Sequence, residues 1–265
     1  MSAIPLATDP AARALRFARG LVVPVLLLGV WHWASRQGDI NAYVFVSLAS
    51  IRDAFAELAN SGELWLSVKA SLLRTLTGLA IGATLGIATG SLMAVSRWAE
   101  RLIGPLYHAI RQVPLLGLVP LLSLWFGTGE TAKLVMVVLA AFYPTVLNTY
   151  EGMRQVARGQ REVGAMLTLD RLQTFRLILL PASVPAILTG LSHAIAFTWL
   201  ASMGAELLMA AGAGLGSLLL IGQNGGRMEL VIVAVVLISL LGYAMNLAFG
   251  LATRHWLRAR RGGAD

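Results

Sequence analysis

Residues Ser67 to Val95 read SVKASLLRTLTGLAIGATLGIATGSLMAV, a 29-residue run in which Lys69 and Arg74 are the only charged side chains. At about 1.5 Å of rise per residue, such a run exceeds the roughly 30 Å of hydrocarbon in a bilayer. A helix is the form that satisfies every backbone hydrogen bond inside one segment, so this stretch is expected to be a membrane-spanning helix. Gly78, Gly82, Gly86 and Gly90 recur at every fourth position and leave one helix face bare. A bare face permits close approach of a second helix. Two readings stay open for it: fixed packing within the subunit, and a face that slides against its neighbour.

The rest of the chain agrees with that class. Of 265 residues, 57% are hydrophobic and only 13% charged, and the mean hydropathy is +0.73, against about 25% charged residues in soluble domains. The net charge of +8 is carried in short clusters between apolar runs. That is the pattern of membrane topology, and it argues against nucleic-acid binding. With no cysteine there is no disulfide and no thiolate metal site, and His32, His108, His193 and His255 are far apart, so no metal is expected. The arginine-bearing N-terminus lacks a small-residue cleavage site after its apolar run and is read as leading into an uncleaved span.

Six apolar stretches are expected to cross the membrane: 21–34, 67–95, 102–126, 131–149, 183–208 and 230–256, within one transmembrane domain covering 1–265. The third is expected to be broken by Pro105, Pro114 and Pro120, and a proline-broken span survives where it lines a cavity or is covered by protein. A pore-lining role is the favoured reading. Between the first two spans, SLASIRDAFAELANSGELW has helical apolar spacing with acids and an arginine opposite, as expected of an interfacial helix. Lysine and arginine concentrate in segments on one side if both termini are cytoplasmic. That side includes Arg97, Arg101, Arg111, Arg154, Arg158, Arg161, Arg171 and Arg176; Lys69, Lys133 and Arg227 fall on the other.

The cytoplasmic loop of about 150–182 contains EVGAMLTLDRLQTFRLILLPA, Glu162 to Ala182. A helix is expected from about 158 to 167, an interruption at Thr168 to Asp170, and a second short helix opened by Asp170 with Gln173 three positions on, a capping-box spacing. Pro181 is expected to end it. Val163, Met166, Leu167, Leu172 and Phe175 would form an apolar ridge suited to docking.

This stretch resembles the signature loop of bacterial ABC-importer permeases, a Glu-Ala-Ala triplet followed by a glycine and then by Leu-Pro. Glu162, Val163 and Gly164 stand at the triplet, Thr168 where glycine is usual, and Leu180-Pro181 at the close. ASVPAILTGLSHAIAFTWL and VPLLGLVPLLSLWFGTGE also resemble the nitrate, sulfonate and taurine branch. The resemblance implies an all-α, six-helix, type I ABC importer (MetI-like) permease fold in the bacterial inner membrane. It implies that the loop docks on a cytoplasmic ABC ATPase through Glu162, Val163, Gly164, Leu167, Thr168, Asp170 and Arg171. Leu167 would be the anchor, and Glu162 and Arg171 the rim. Two ATPase chains binding ATP and Mg, a second permease copy in a homodimer, and a periplasmic or lipid-anchored solute-binding protein are the implied partners. The chain itself is expected to hold no cofactor and to transport a small anion. Threonine at position 168 resists the left-handed backbone that glycine accepts, which leaves the bend open.

The candidates within the spans are Arg74, Pro114, Pro120, His193 and Glu206, since intramembrane ionisable groups point to function. Arg74 and Glu206 fall in the same third of the membrane, where they pair with each other, or Arg74 attracts an anion, or each snorkels separately. His193 is read as an interhelical hydrogen-bonding residue or a group touching a solute, with Gln112, Ser123, Trp125 and Asn148 as weaker pathway residues. GTGETAKL, Gly127 to Leu134, fails as a phosphate loop because Ala132 replaces a glycine and Leu134 a hydroxyl residue. It is read as a tight turn, and ATP hydrolysis is assigned to another chain. An integral membrane enzyme would need clustered acid-base groups, and a secondary transporter a charge relay or inverted repeats; the sequence displays none of these.

Overall fold

The computed structural model describes residues 22–23, 25–36, 46–156, 166–209 and 211–261, with side chains as far as 255. The regular elements among the described residues are helices: α1 Val25–Ala34, α2 Leu48–Ser61, α3 Glu63–Val95, α4 Arg97–Ile110, α5 Val119–Phe126, α6 Glu130–Arg154, α7 Arg171–Leu208, α8 Leu215–Asn224 and α9 Met228–Arg261. Four of them, α3, α6, α7 and α9, are long and apolar enough to cross a membrane. The third expected span is a bent pair, α4 and the segment Leu115–Phe126, meeting at 90°. Of the first, the described residues hold α1, an apolar helical stretch of ten residues and about 15 Å.

Local chemistry sets the boundaries. Ser47 opens α2 by accepting the Ser50 backbone N–H at 3.1 Å, and Gly62, at φ +80°, lets the chain turn straight into α3. Ser96 closes α3 and caps α4 through the Ala99 N–H. Pro105, expected to break the third span, lies inside a continuous α4. The break falls after Ile110, where Gln112 and Val113 make short-range turns and Pro114 has no N–H to continue them. Pro120 sits at the start of α5, where the missing N–H costs nothing.

The glycine face of α3 is filled by α6. A Cβ at Gly78 would lie 2.5 Å from Val137 Cγ1, at Gly86 2.7 Å from Thr145 Cβ, and at Gly90 2.6 Å from the Val146 carbonyl oxygen. The two backbones therefore touch along more than three turns, so the bare face packs within the subunit. Gly152 and Gly190 let α7 approach the other side of α6 in the same way, against Ala186 and Asn148. Around this slab, α2, α8 and α9 close a second core through Ala54, Leu58, Trp199, Leu215 and Val233.

Candidate functional site

Two places in the fold concentrate chemistry. The first is a buried ion cluster at the end of the bundle opposite the Met166–Asp170 turn. Arg74, one-third of the way along α3, is 5% exposed, and Glu206, near the end of α7, is fully buried. Arg74 donates to Glu206 and, through Nε and Nη2, makes two 2.8 Å bonds to Glu130, the first residue of α6. Ser71 donates to Glu206 at 2.7 Å and accepts the Leu215 N–H at 3.0 Å. The Gly216 N–H, in the first turn of α8, donates to the other Glu206 oxygen at 2.7 Å. A carboxylate at a helix N-terminus gains from the orphan amides and the helix dipole together. Gly214 and Gly216 permit this, since a Cβ at Gly216 would meet Glu206 Cβ at 2.7 Å.

Lys133 completes the cluster. It is fully buried, donates to the Ala211 carbonyl and lies 3.7 Å from Glu130. The turn expected across GTGETAKL is therefore confined to 127–129, and its charged half is the first turn of α6. Two cations face two carboxylates, so the cluster is neutral and ties α3, α6, α7 and the start of α8 together. Glu130 and Lys133 were not among the expected site residues. Their signal was an acid and a lysine three apart at the head of an apolar helix.

The second place is the turn that follows the 157–165 segment. Glu162, Val163 and Gly164, and most of the helix expected from 158 to 167, lie outside the described residues. From Met166 the chain turns through Leu167 and Thr168, and Thr168 takes φ +50°, the left-handed value found at no other non-glycine among the described residues. The bend that glycine would make is thus made by threonine. Asp170 accepts the Gln173 N–H at 2.7 Å and Gln173 accepts the Asp170 N–H at 3.0 Å, so the capping box forms as the spacing predicts. Arg171 follows on the exposed first turn. Met166 (82%), Leu167 (63%) and Leu172 (55%) stand exposed beside it, with Leu177. Pro181 does not end this helix. Phe175–Leu179 form a π-helical turn, and Leu180 bonds back to the Phe175 carbonyl, so the segment runs through the proline into the long span. A π turn resets the hydrogen-bond ladder so that the residue lacking an N–H falls at the start of a new α segment.

The remaining candidates are scattered. Pro114 and Pro120 are exposed at and just after the 90° break. His193 is exposed on α7 and makes no hydrogen bond to a described residue, contrary to the interhelical bond expected of it; it lines a groove of about 450 Å³ with Thr189, Thr253 and Arg254 of α7 and α9. Asn148 donates to the Pro144 carbonyl at 2.8 Å within α6. Arg111 lies at the break, beside Tyr107. Among the described residues, no group of three or more metal-ligating side chains converges.

The chain is 35% identical over 236 residues to the "Putative aliphatic sulfonates transport permease protein SsuC" of Escherichia coli (strain K12), covering 89% of each. It is 34% identical to the nitrate import permease protein NrtB of Leptolyngbya laminosa, over 72% of this chain and 68% of that one. In structure it is similar to a chain of the inward-facing MetNI methionine ABC transporter, with a TM-score of 0.59 at 20% identity, over 72% of this chain and 96% of that chain. This likeness places the fold among type I importer permeases; the sequence relatives are transport permeases, and the chain is a transport subunit rather than an enzyme. Residues 82–258, which hold the glycine-packed slab, the capped turn and Glu206, match the family of binding-protein-dependent transport system inner membrane components, and the chain belongs to that family.

Proposed function

We propose that this chain is the membrane-spanning subunit of an ATP-driven importer for a small anion, an aliphatic sulfonate, taurine or nitrate, in the bacterial inner membrane. Two copies form the permease, both termini are cytoplasmic, and an external solute-binding protein delivers the anion. Two cytoplasmic ABC ATPases bind ATP and Mg and dock on the 158–180 loop. The observation that carries the substrate class is the near-full-length likeness to a sulfonate permease, joined by a nitrate permease of similar identity. Docking is supported by the exposed Met166, Leu167 and Leu172 beside a firmly capped turn. An interface centred on apolar anchors with a polar rim transmits force without slipping.

In this reading the ion cluster is structural: its charges cancel, so it holds one end of the bundle while the docked end moves. The test is replacement of Leu167 by alanine and of Glu162 by glutamine. Burying a leucine stabilises by about 1.5–3 kcal/mol, so ATPase co-purification should fall about tenfold or more, with normal permease in the membrane. Unchanged association and unchanged uptake in both variants would overturn the docking assignment. The natural chain has no cysteine, so single cysteines placed at Arg171 and at Thr128 report sidedness directly by impermeant thiol labelling.

A further inference from the structure

Arg111, the arginine at the break of the third span, has no ion-pair partner among the described residues. Tyr107 of α4 donates its hydroxyl to the Tyr143 carbonyl at 2.7 Å. Tyr143 is thirteen residues from Glu130 and eleven from Arg154, the two ends of α6, so this bond marks the middle of the bundle. The Arg111 guanidinium lies 5.8 Å from the centre of the Tyr107 ring, at the same level, roughly 16–20 Å along α6 from either end. Its Nε is buried and donates to nothing. The other deep cations are answered: Arg74 by Glu206 and Glu130, Lys133 by Glu130. Arg111 forms no ion pair with any described residue.

A cation at mid-membrane is costly, and such residues face a partner or a water-filled route. Here the chain places one where the helix is broken, the position at which membrane transporters expose irregular backbone to a solute. Arg111 is only half-buried, and Gln112, Val113 and Pro114 beside it are exposed. The tyrosine face holds the guanidinium from one side by its ring charge distribution. The Tyr107 hydroxyl also lies within reach of the guanidinium, and no described carboxylate pairs with its remaining N–H groups. A planar fork of N–H groups with an unmade bond is matched by two oxygens of a single oxyanion.

We infer that Arg111, supported by Tyr107, is the group that receives the anion inside the membrane. Its ligand class is a small oxyanion, a sulfonate head group or nitrate, with two oxygens free to accept. Gln112 adds an amide beside it. This rests on the importer reading above, and it assigns the substrate contact to the broken third span instead of to Arg74, whose charge is spent.

The experiment uses the full permease with its ATPase in lipid nanodiscs. Phenylglyoxal modification of each arginine is read by peptide mass spectrometry, with ethanesulfonate, nitrate or choline added. Ethanesulfonate or nitrate should slow modification of Arg111 several-fold, by an amount on the order of one charge-assisted contact, and choline should not; Arg254, outside the site, should be unaffected. Equal modification of Arg111 with and without both anions overturns the proposal. In proteoliposomes, Arg111→Gln should cut anion uptake by about tenfold at an unchanged amount of folded permease, with Arg111→Lys in between. Wild-type uptake in Arg111→Gln overturns it too. Where that variant does not accumulate, the protection result on the natural protein decides. Absence of ATP-driven uptake by the natural complex is a failure of the importer reading, and leaves the protection result to judge the site.

Discussion

Removing Arg74 should cost more than removing Glu206, and the asymmetry follows from the contacts. With Arg74→Gln, the fully buried Glu206 carboxylate keeps only neutral donors, the Ser71 hydroxyl, the Gly216 N–H and Ser202 at 3.4 Å. An uncompensated buried charge costs about 3–5 kcal/mol. With Glu206→Gln, Arg74 retains both bonds to Glu130, and the amide oxygen still accepts from Arg74 or Ser71. What is lost is the acceptor for the Gly216 N–H, about 1–3 kcal/mol for one unsatisfied buried donor. The double variant removes the stranded charge and should be milder than the sum by more than about 1 kcal/mol. Glu130 is itself 61% exposed, but it is the carboxylate paired with the fully buried Lys133, so Glu130→Gln should cost more than the roughly 1 kcal/mol of a surface pair. The assay is SDS-titrated unfolding of the purified permease in mixed micelles, followed by tryptophan fluorescence, on the three single variants and the Arg74/Glu206 double. Additivity within about 0.5 kcal/mol, or a larger cost for Glu206→Gln than for Arg74→Gln, would refute the reasoning.

Other outcomes follow from single sites. Gly86→Leu must push α3 off Thr145 and should destabilise by about 1–3 kcal/mol or more, whereas Gly29→Leu, with nothing within 4 Å, should stay within about 0.5 kcal/mol; thermal aggregation assays compare them. Thr168→Gly should relieve roughly 1–2 kcal/mol of left-handed strain and keep ATPase association at or above the natural level, read by co-purification. Glu57 of α2 hydrogen-bonds Arg227 through both oxygens, at 3.0 and 2.6 Å. That bonding, and then the charge of Arg227, holds its carboxyl below the ordinary 4.5. A carboxyl whose folded value is depressed supports the fold above its unfolded value and loses that support as pH falls through the folded one. Amide exchange in α2 should therefore quicken only below pH 4.5, and Glu57→Gln should abolish that dependence.

Hydrophobic runs, glycine spacing and the Asp170–Gln173 pattern were legible in the sequence because each is local: it reports a helix surface or a cap that its own neighbours complete. Arg74 and Glu206 were legible as candidates because charges in apolar helices stand out. Their surroundings were not, since Ser71 meets Leu215 across 144 residues and nothing periodic encodes that meeting. Pro181 and Pro105 misled for a shared reason. A proline removes one N–H, and whether the helix stops depends on what the backbone does with the freed carbonyl, which at 175–179 is to form a π turn. Charge counting assigns Arg111 to the nearest end of a span, and nothing local in the sequence announces the 90° break that sets it beside Tyr107.

The central claim is that ATP hydrolysis by a docked partner drives anion import through this chain. The direct measurement is ethanesulfonate and nitrate accumulation in proteoliposomes holding the permease, its ATPase and its solute-binding protein, with ATP supplied on the ATPase side. Accumulation that requires ATP and both partners, and that falls about tenfold with Leu167→Ala, is the predicted result. Accumulation driven by a proton or sodium gradient without the ATPase would contradict it.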